Sequence, residues 1–191
     1  MKTVQAHGRF FIIGNADEHN NIADKINKDD IVIRFNNPNP TCQLMADWVF
    51  IANGTIQIRH LSIEHQFFRP DTEIFFRYKT NDILKSRYEN IPINKKLKYC
   101  WYFFRWKKKF QLDQYLTHII PPSVHYECIQ LLYPNIFPST GLLAIYYILQ
   151  YHPKHKIFLH NFTYQGWKGH NWNKEKALIQ TLISEKKLEF I

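Results

Sequence analysis

The sequence predicts an α/β fold in which a mostly parallel sheet is flanked by helices on both faces, and three observations support this prediction. Short apolar runs rich in β-branched and aromatic residues recur along the chain, and their length is typical of buried strands. Segments with helical periodicity occur among these runs, which is the pattern of α/β proteins. No repeat, low-complexity tract or Gly/Ser linker divides the 191 residues, so we expect a single domain over residues 1–191.

The predicted strands are apolar segments that stop at turn residues. The first, at 9–14, runs into Gly-Asn, and the next two, at 30–36 and 47–54, also reach an Asn at their ends. Further apolar runs follow along the chain. The complete set of predicted strands is 9–14, 30–36, 47–54, 73–78, 98–104, 156–162 and 188–191.

Two helices are predicted, and the start of the first is the most informative part of the chain. Residues 139–151 begin at a Ser-Thr-Gly turn and are apolar nearly all round, which indicates a helix within the core. Ser139 or Thr140 can cap its first turn. Residues 173–187 carry apolar side chains on one side only, as expected of a helix that packs on a sheet.

The amino end of the 139–151 helix is a candidate anion site. Unbonded N–H groups of a first helical turn and the helix dipole favour negative charge, and Gly141 lets a ligand approach the backbone closely. A Ser/Thr-capped core helix without a ligand is the commoner case when such a turn is taken alone. The polar residues elsewhere in the chain therefore decide between the two interpretations.

Three asparagines, Asn15, Asn36 and Asn53, fall at the carboxyl ends of the first three predicted strands. Ligands of open α/β sheets bind outside these strand ends, and a side-chain amide offers both donors and an acceptor. Asn is also a common turn residue after a strand, which explains any one of them alone. The three together, with the helix start at Ser139, predict a shared ligand site.

The formal net charge of +9 favours anionic partners such as nucleotides, nucleic acids or membranes. Part of this charge lies in the segment 99–110, where an aromatic run precedes a cluster of Lys and Arg. Such a segment suits peripheral contact with an anionic membrane, and a buried strand that ends in a solvated basic loop is the alternative. No nucleic-acid-binding motif accompanies the charge, so we expect no nucleic acid partner.

Cysteine usage and hydropathy indicate a location in the reducing cytoplasm. Cys42, Cys100 and Cys128 are widely spaced and odd in number, so they form neither a disulfide framework nor a zinc site. No apolar run approaches the roughly 20 residues that cross a bilayer. The first residues also lack the apolar stretch of a secretory signal.

Several catalytic motifs are absent from the sequence. It contains neither of the Gly-rich phosphate loops, no H-E-x-x-H and no paired C-x-x-C. No D-x-D stands at a strand end to hold a metal-bound nucleotide diphosphate, and no G-x-S-x-G elbow occurs. Metal-dependent and hydrolytic chemistry therefore lacks support, and we expect no metal and no cofactor.

His170 is the candidate general base. Imidazole has the side-chain pKa nearest neutrality, so histidine is the usual base for taking a proton from a hydroxyl. His170 is one of ten histidines, but it follows a glycine at the entrance of the last predicted helix. It also lies downstream of the proposed phosphate site.

In their order, these blocks resemble the sialylmotifs of sialyltransferases. The blocks are Gly14-Asn15, the segment 30–36, Pro138-Ser139-Thr140-Gly141-Leu142, and His170 with Glu175 five positions on. The motif wording is similar to that of the animal-type family, and the compact size is similar to that of bacterial lipooligosaccharide sialyltransferases. The resemblance covers roughly half the chain. It implies a Rossmann-like fold of the GT-A variant and an inverting, metal-independent transfer from a CMP-sugar.

The resemblance also implies which residues bind the nucleotide and its phosphate. The asparagines at the strand ends would contact the nucleotide, and the turn at the start of the helix would hold cytidine and phosphate groups. The six residues are Asn15, Asn36, Asn53, Ser139, Thr140 and Gly141.

For the chemistry, the resemblance makes Tyr164 the hydrogen-bond donor to the departing phosphate and His170 the general base. The chain departs from the family pattern between these two residues. A second tyrosine has no clear counterpart, Trp167 lies in the interval, and the usual acceptor lid is nearly absent. Glu175 has a simpler explanation as a first-turn carboxylate favoured by the helix dipole.

The predicted activity is transfer of sialic acid, or a related nonulosonic acid, to a hydroxyl of a bacterial surface glycan such as lipooligosaccharide. A lipid-linked acceptor would explain the segment 99–110 and would place the protein at the inner face of the inner membrane. Two alternatives stay open. One is a CMP-Kdo transferase of the same fold, and the other is a nucleotide-binding module that has lost catalysis.

Overall fold

The computed structural model describes most of the sheet and three helices. The described residues are 8–16, 21–36, 38–39, 42–53, 67–77, 92–94, 96–97, 100–101, 108, 111–133, 137–166 and 168–191.

Seven strands form one sheet in which every pairing is parallel, in the order β5-β4-β3-β2-β1-β6-β7. The α/β class and the parallel sheet predicted from the sequence are therefore confirmed. The strands are β1 (Phe10–Ile13), β2 (Ile31–Phe35), β3 (Ala46–Ile51), β4 (Phe68–Phe76), β5 (Leu116–Ile119), β6 (Ile157–His160) and β7 (Leu188–Phe190).

Three helices flank this sheet, and two of them match the predicted ones. They are α1 (Pro122–Leu132), α2 (Thr140–Tyr151) and α3 (Trp172–Ser184). Two short 3-10 helices are also present, at Ala23–Lys25 and Leu112–Gln114. None of the described helices is both long and apolar enough to cross a bilayer.

The two faces of the sheet are buried differently. Side chains alternate along β1, so that Phe10 and Ile12 lie in the main core while Phe11 and Ile13 lie in a smaller cluster. All three helices contribute to the main core. The other face is covered, within the described part, by turns and loops that supply Ile22, Cys42, Phe67 and Leu112. The helices α1, α2 and α3 thus pack on the same face of the sheet, whereas the sequence pattern predicted helices on both faces.

The order of the strands creates a switch point between β1 and β6. From β1 the chain builds outward through β2, β3, β4 and β5, and then returns through α1 and α2 to place β6 on the other side of β1. At such a point the connections diverge and leave a crevice at the carboxyl ends of the strands. The strand order therefore predicts a ligand crevice between the residues that follow β1 and those that follow β6.

One predicted strand is wrong where it is described. In the segment 98–104, Cys100 and Trp101 are helical, as are the described residues at 93–94, 96–97 and 108. A short aromatic run carries no periodicity that separates a buried strand from a helix, which explains the error. The other residues of 98–104 lie outside the described part.

Two elements were not predicted from the sequence, and β4 begins five residues earlier than expected. β5 is short and partly exposed at the edge of the sheet, so its Leu-Thr-His-Ile sequence lacks an apolar run. α1 starts with Pro122 in its first turn, a position where proline is tolerated because no intrahelical N–H bond is lost.

Candidate functional site

At the switch point, the backbone at the end of β1 makes close contact with the backbone at the end of β6. The N–H of Gly14 donates to the carbonyl of His160 at 2.8 Å. A Cβ atom at Gly14 would lie 2.0 Å from the carbonyl oxygen of Asn161, which no side chain tolerates. Glycine is therefore required at the end of β1 for the two strand ends to meet.

The loops after β1 and β2 are tied together by asparagine side chains. The Asn15 amide donates to the Phe35 carbonyl at 3.1 Å, and the Asn39 amide donates to the Ala16 carbonyl at 3.1 Å. Asn36 has a positive φ of 47°, and its side-chain oxygen accepts from the N–H of Ala52 at 2.8 Å. Asn15 and Asn36 thus lie at adjacent strand ends, as the sequence predicted, and both help to shape the loops.

Asn53 follows β3 at the same edge of the sheet, but its position differs from that of the other two asparagines. Its relative exposure is 0%, and a nucleotide contact from Asn53 stays a prediction. Its backbone N–H donates to the carbonyl of Ile51 at 3.0 Å. Asn53 is therefore an interior residue at the end of β3.

Ser139 caps α2 as predicted, and its other contacts were not predicted. The Ser139 hydroxyl oxygen accepts from the N–H of Leu142 at 3.1 Å, while its own O–H donates to Glu175 Oε2 at 2.6 Å. The Ser139 N–H donates to Glu175 Oε1 at 2.8 Å. Both carboxylate oxygens of Glu175 are thus held by one residue of the α2 cap. Ser139 stiffens the start of the helix, and both of its hydrogen-bond donors are taken up by Glu175.

The next two residues, Thr140 and Gly141, retain the features of an anion site. Their backbone N–H groups donate to none of the described residues, as expected at the start of a helix. A Cβ atom at Gly141 would lie 3.0 Å from the ring of Phe162, so the loop after β6 packs closely against α2. Phe162 also meets the Phe35 ring edge-on at 6.1 Å. This ring joins the end of β2 to the start of α2.

Tyr164 lies in the same loop and has a buried hydroxyl group. That hydroxyl makes no hydrogen bond with any of the described residues. Burial, with a smaller contribution from the negative charge of Glu175, raises the pKa of Tyr164 to about 12. The phenol is protonated at neutral pH. A hydrogen-bond acceptor brought by a ligand would give its hydroxyl group a partner. Its φ of 52° lies in the left-handed region, which is uncommon for tyrosine.

His170 is held at the entrances of both helices. Its Nδ1 lies 2.6 Å from the carbonyl oxygen of Phe137, just before α2, and its ring meets Trp172 edge-on at 4.9 Å. A carbonyl only accepts, so Nδ1 carries the proton and Nε2 holds the lone pair of the neutral ring. Burial, opposed by this hydrogen bond and aided by the charge of Arg77, lowers the pKa of His170.

Glu175 is the residue whose environment differs most from the sequence interpretation. It does lie in the first turn of α3, where the helix dipole favours a carboxylate. It is also only 1% exposed and connects α3 to the cap of α2 through Ser139. Burial raises the pKa of Glu175, and the hydrogen bonds from Ser139 and the charge of Arg77 partly oppose this effect.

Arg77 belongs to the candidate site although sequence reasoning missed it. It follows β4 at the carboxyl edge, is 6% exposed, and its carbonyl oxygen lies 2.8 Å from His125 Nε2. Burial and the nearby Arg77 charge lower the pKa of His125 to about 3, so the imidazole is neutral and Nε2 donates to that carbonyl. Arg77 could have been found from the sequence, because it is a polar residue near the end of the predicted strand 73–78, as Asn36 and Asn53 are near the ends of theirs.

Two other features bear on the chemistry of the chain. Among the described residues, no cluster of three or more His, Cys, Asp or Glu side chains is arranged to hold a metal ion.

A cavity of about 350 Å³ lies near the amino ends of β2 and β3, and its walls include Asp30, Asp47 and Arg69. It contains none of the predicted site residues. Trp167 and most of the segment 99–110 lie outside the described part of the chain.

Comparisons with known proteins agree with the fold. No protein-family model matches the sequence. No curated protein matches it either. Among solved structures, the chain is similar to the crystal structure of a mammalian sialyltransferase, with a TM-score of 0.57 over 96% of this chain and 68% of that chain. The two are 15% identical in sequence, so the similarity establishes a shared Rossmann-like α/β fold.

Proposed function

We propose that this protein is a glycosyltransferase that moves a sialic acid or related nonulosonic acid from a CMP-sugar to a hydroxyl of a glycan. One observation carries the proposal. At the carboxyl edge of a fold shared with a sialyltransferase, Tyr164 and His170 both lie near the start of α2. Tyr164 feels the charge of Glu175, which is bonded to Ser139, and His170 is bonded to Phe137. These groups supply a phosphate site and a base.

The donor phosphate would bind at the start of α2. The N–H groups of Thr140 and Gly141 and the helix dipole would stabilise its negative charge. The Tyr164 hydroxyl is protonated at neutral pH, as tyrosine ordinarily is, and would donate to a phosphate oxygen. As the bond between the anomeric carbon and the phosphate oxygen breaks, its electron pair stays on CMP, and these donors stabilise the growing charge.

The acceptor hydroxyl would lose its proton to Nε2 of His170. The hydrogen bond from Nδ1 to Phe137 fixes the ring orientation and leaves the lone pair at Nε2. The acceptor oxygen then forms the new bond to the anomeric carbon on the face opposite the phosphate, so the configuration inverts. We assign no metal ion or other cofactor to this mechanism.

Arg77 and Glu175 would set the electrostatics of the site. A buried carboxylate near the start of α2 opposes phosphate binding, and the buried guanidinium of Arg77 offsets it. Both charges act over short distances in a region with little water. We therefore include Arg77 among the residues that make the site favourable for an anionic donor.

We further propose an acceptor for the transfer and a location for the protein. It places residues 1–191 in one transferase domain that acts on a bacterial surface glycan, such as lipooligosaccharide, from the cytoplasmic side. CMP-Kdo is the alternative donor, because its CMP group would use the same phosphate and nucleotide contacts. A module that binds the nucleotide without catalysis is the second alternative, suggested by the missing second tyrosine.

Thermal unfolding with CMP, CDP, UDP and GDP, each with EDTA, tests the proposal. CMP at about 100 times its dissociation constant should stabilise the protein by about 2.7 kcal/mol, and the other nucleotides should stabilise it less. Equal effects of all four would contradict the CMP-sugar proposal. Release of CMP from CMP-sialic acid or CMP-Kdo in the presence of glycan acceptors then separates the donors. Binding of CMP without any transfer would favour the non-catalytic module.

A further inference from the structure

Three apolar side chains form a stripe on the helical segment that precedes β5. Ile93, Leu97 and Trp101 are four residues apart, and each is helical in the structure. Residues at this spacing lie on one side of a helix. Their exposed fractions are 64%, 56% and 55%, so the stripe is turned toward solvent. We call these three residues the apolar stripe.

The helical segment itself is held against the protein. Lys96 and Cys100, which are also four residues apart, are both buried. The apolar stripe is therefore exposed on a segment whose other side packs against the protein. Scattered single apolar residues are normal on a surface, but an aligned set of Ile, Leu and Trp marks an interaction site.

The charge around the apolar stripe favours an anionic partner. Between residues 92 and 110 the sequence has no Asp or Glu. Among the described residues, Lys108 is helical and exposed. The basic residues of this segment are Lys95, Lys96, Lys98, Arg105, Lys107, Lys108 and Lys109.

We propose that the apolar stripe is a docking surface for an anionic lipid membrane. Ile93, Leu97 and Trp101 insert at the boundary between headgroups and acyl chains, where Trp is favoured. The exposed Lys108 and the net positive charge of residues 92–110 attract lipid phosphates. A second copy of the chain would bring two strongly basic segments together, which disfavours self-association. Aliphatic side chains contribute little to nucleic acid binding, which relies on aromatic stacking and phosphate contacts. The inference does not depend on the transferase activity.

Co-sedimentation with lipid vesicles tests this surface. Wild-type protein is mixed with vesicles of phosphatidylcholine alone, or of phosphatidylcholine and phosphatidylglycerol in equal amounts. The test variant carries Ile93→Ser, Leu97→Ser and Trp101→Ser. The matched control carries Tyr133→Ser and Phe190→Ser, which remove two exposed aromatic rings from other elements. Trp101→Ser alone serves as a second test variant, and thermal unfolding establishes that each variant is folded.

The expected result is binding to the anionic vesicles that weakens as salt is raised, with much weaker binding to the neutral ones. The triple variant should bind about tenfold or more weakly, Trp101→Ser should show part of this loss, and the control should bind as the wild type does. Equal binding to both vesicle types, or wild-type binding by the folded variants, would overturn the proposal. The proposal would also be overturned if the wild-type protein did not bind vesicles but self-associated or bound RNA, and the triple substitution removed that interaction.

Discussion

The buried carboxylate of Glu175 joins the two helices that frame the candidate site. Its two oxygens accept from the N–H and O–H of Ser139, and the Ser139 oxygen in turn accepts from Leu142. The cap of α2 and the first turn of α3 are therefore one hydrogen-bonded unit. Because His170 directly precedes α3 and is bonded to Phe137 just before α2, this unit also fixes His170 relative to the start of α2.

Replacing Glu175 should destabilise the protein because Ser139 would lose both acceptors in a buried place. We expect Glu175→Ala to lower the free energy of unfolding by about 3 kcal/mol, measured by chemical denaturation. Glu175→Gln keeps an acceptor and the side-chain volume, so its effect should be clearly smaller. Equal stability of the alanine variant and the wild type would show that the pairing with Ser139 contributes little.

The same carboxylate should make stability depend on pH. Because burial raises the pKa of Glu175 above 4.5, the folded protein binds this proton more tightly than the unfolded chain. The contribution of this group is thus largest below pH 4.5 and falls as pH rises through the folded-state pKa. Denaturation midpoints of wild type and Glu175→Gln across this window should show a steeper decline for the wild type. Parallel curves would contradict the shift.

The buried hydroxyl of Tyr164 predicts opposite effects on stability and activity. Tyr164→Phe removes a polar group that has no partner among the described residues, so the unfolding free energy of the ligand-free protein should be unchanged or raised by up to about 1 kcal/mol. If Tyr164 donates to the departing phosphate, kcat should fall by about 10²- to 10³-fold. A variant that is less stable but fully active would contradict both expectations.

His170 should determine the acidic limb of the activity profile. Burial lowers the pKa of His170 below the ordinary 6.5, so the neutral ring persists to lower pH than an exposed histidine would allow. The rate of transfer should therefore fall on acidification with an apparent pKa below 6.5. His170→Ala should abolish transfer while CMP still raises the unfolding temperature. Loss of CMP binding together with activity would indicate a positioning role.

At the scale of elements, two glycines control how the secondary structure meets around the crevice. Gly14 lets the end of β1 touch the backbone after β6, and Gly141 lets α2 touch the ring of Phe162. The obstacle at Gly14 is backbone, which cannot move aside. The obstacle at Gly141 is a side chain, which can shift by a few tenths of an ångström.

This difference predicts unequal costs for the same substitution. Gly14→Ala should lower the unfolding free energy by about 2 kcal/mol or more, because the strand ends must separate. Gly141→Ala should cost less, since Phe162 can yield and alanine suits a helix better than glycine. Urea denaturation of both variants measures the two costs. A larger loss at Gly141 would reverse the order that the contacts imply.

At the scale of the whole molecule, the strand order separates the two edges of the sheet. The carboxyl edge holds the candidate site, and the amino edge holds the cavity near Asp30 and Asp47. The ion pairs of Arg9 with Asp30, at 2.6 Å, and of Arg69 with Asp47, at 3.0 Å, lie at this second edge. Ligand binding at one edge should leave local motions at the other unchanged.

Hydrogen exchange should locate the nucleotide at the carboxyl edge. With saturating CMP, amides that exchange by local opening should slow in residues 14–16, 137–142 and 162–170. Residues 23–28, beside the opposite cavity, provide the internal control and should exchange at the same rate. Protection confined to residues 23–28 would move the nucleotide site to the amino edge.

The sequence determined the class of fold and many element positions. Apolar runs of four to six residues specify buried strands such as β1, β2 and β3, and the Ser-Thr-Gly turn specifies the start of α2. The same sequence patterns did not predict elements whose side chains are unevenly buried. Edge strand β5 is partly exposed and lacks the apolar pattern, and the aromatic run near Trp101 fits either a strand or a helix.

Only the tertiary structure decided which distant residues meet. Ser139 and Glu175 are 36 residues apart, and Phe137 and His170 are 33 apart, yet each pair shares a hydrogen bond. Arg77 joins them because β4 ends at the same edge of the sheet as the other strands. Periodicity and turn residues record how a short segment is buried, whereas these contacts depend on strand order and on how helices pack across the sheet. The sequence therefore identified several residues of the candidate site, and the fold determined how they are joined.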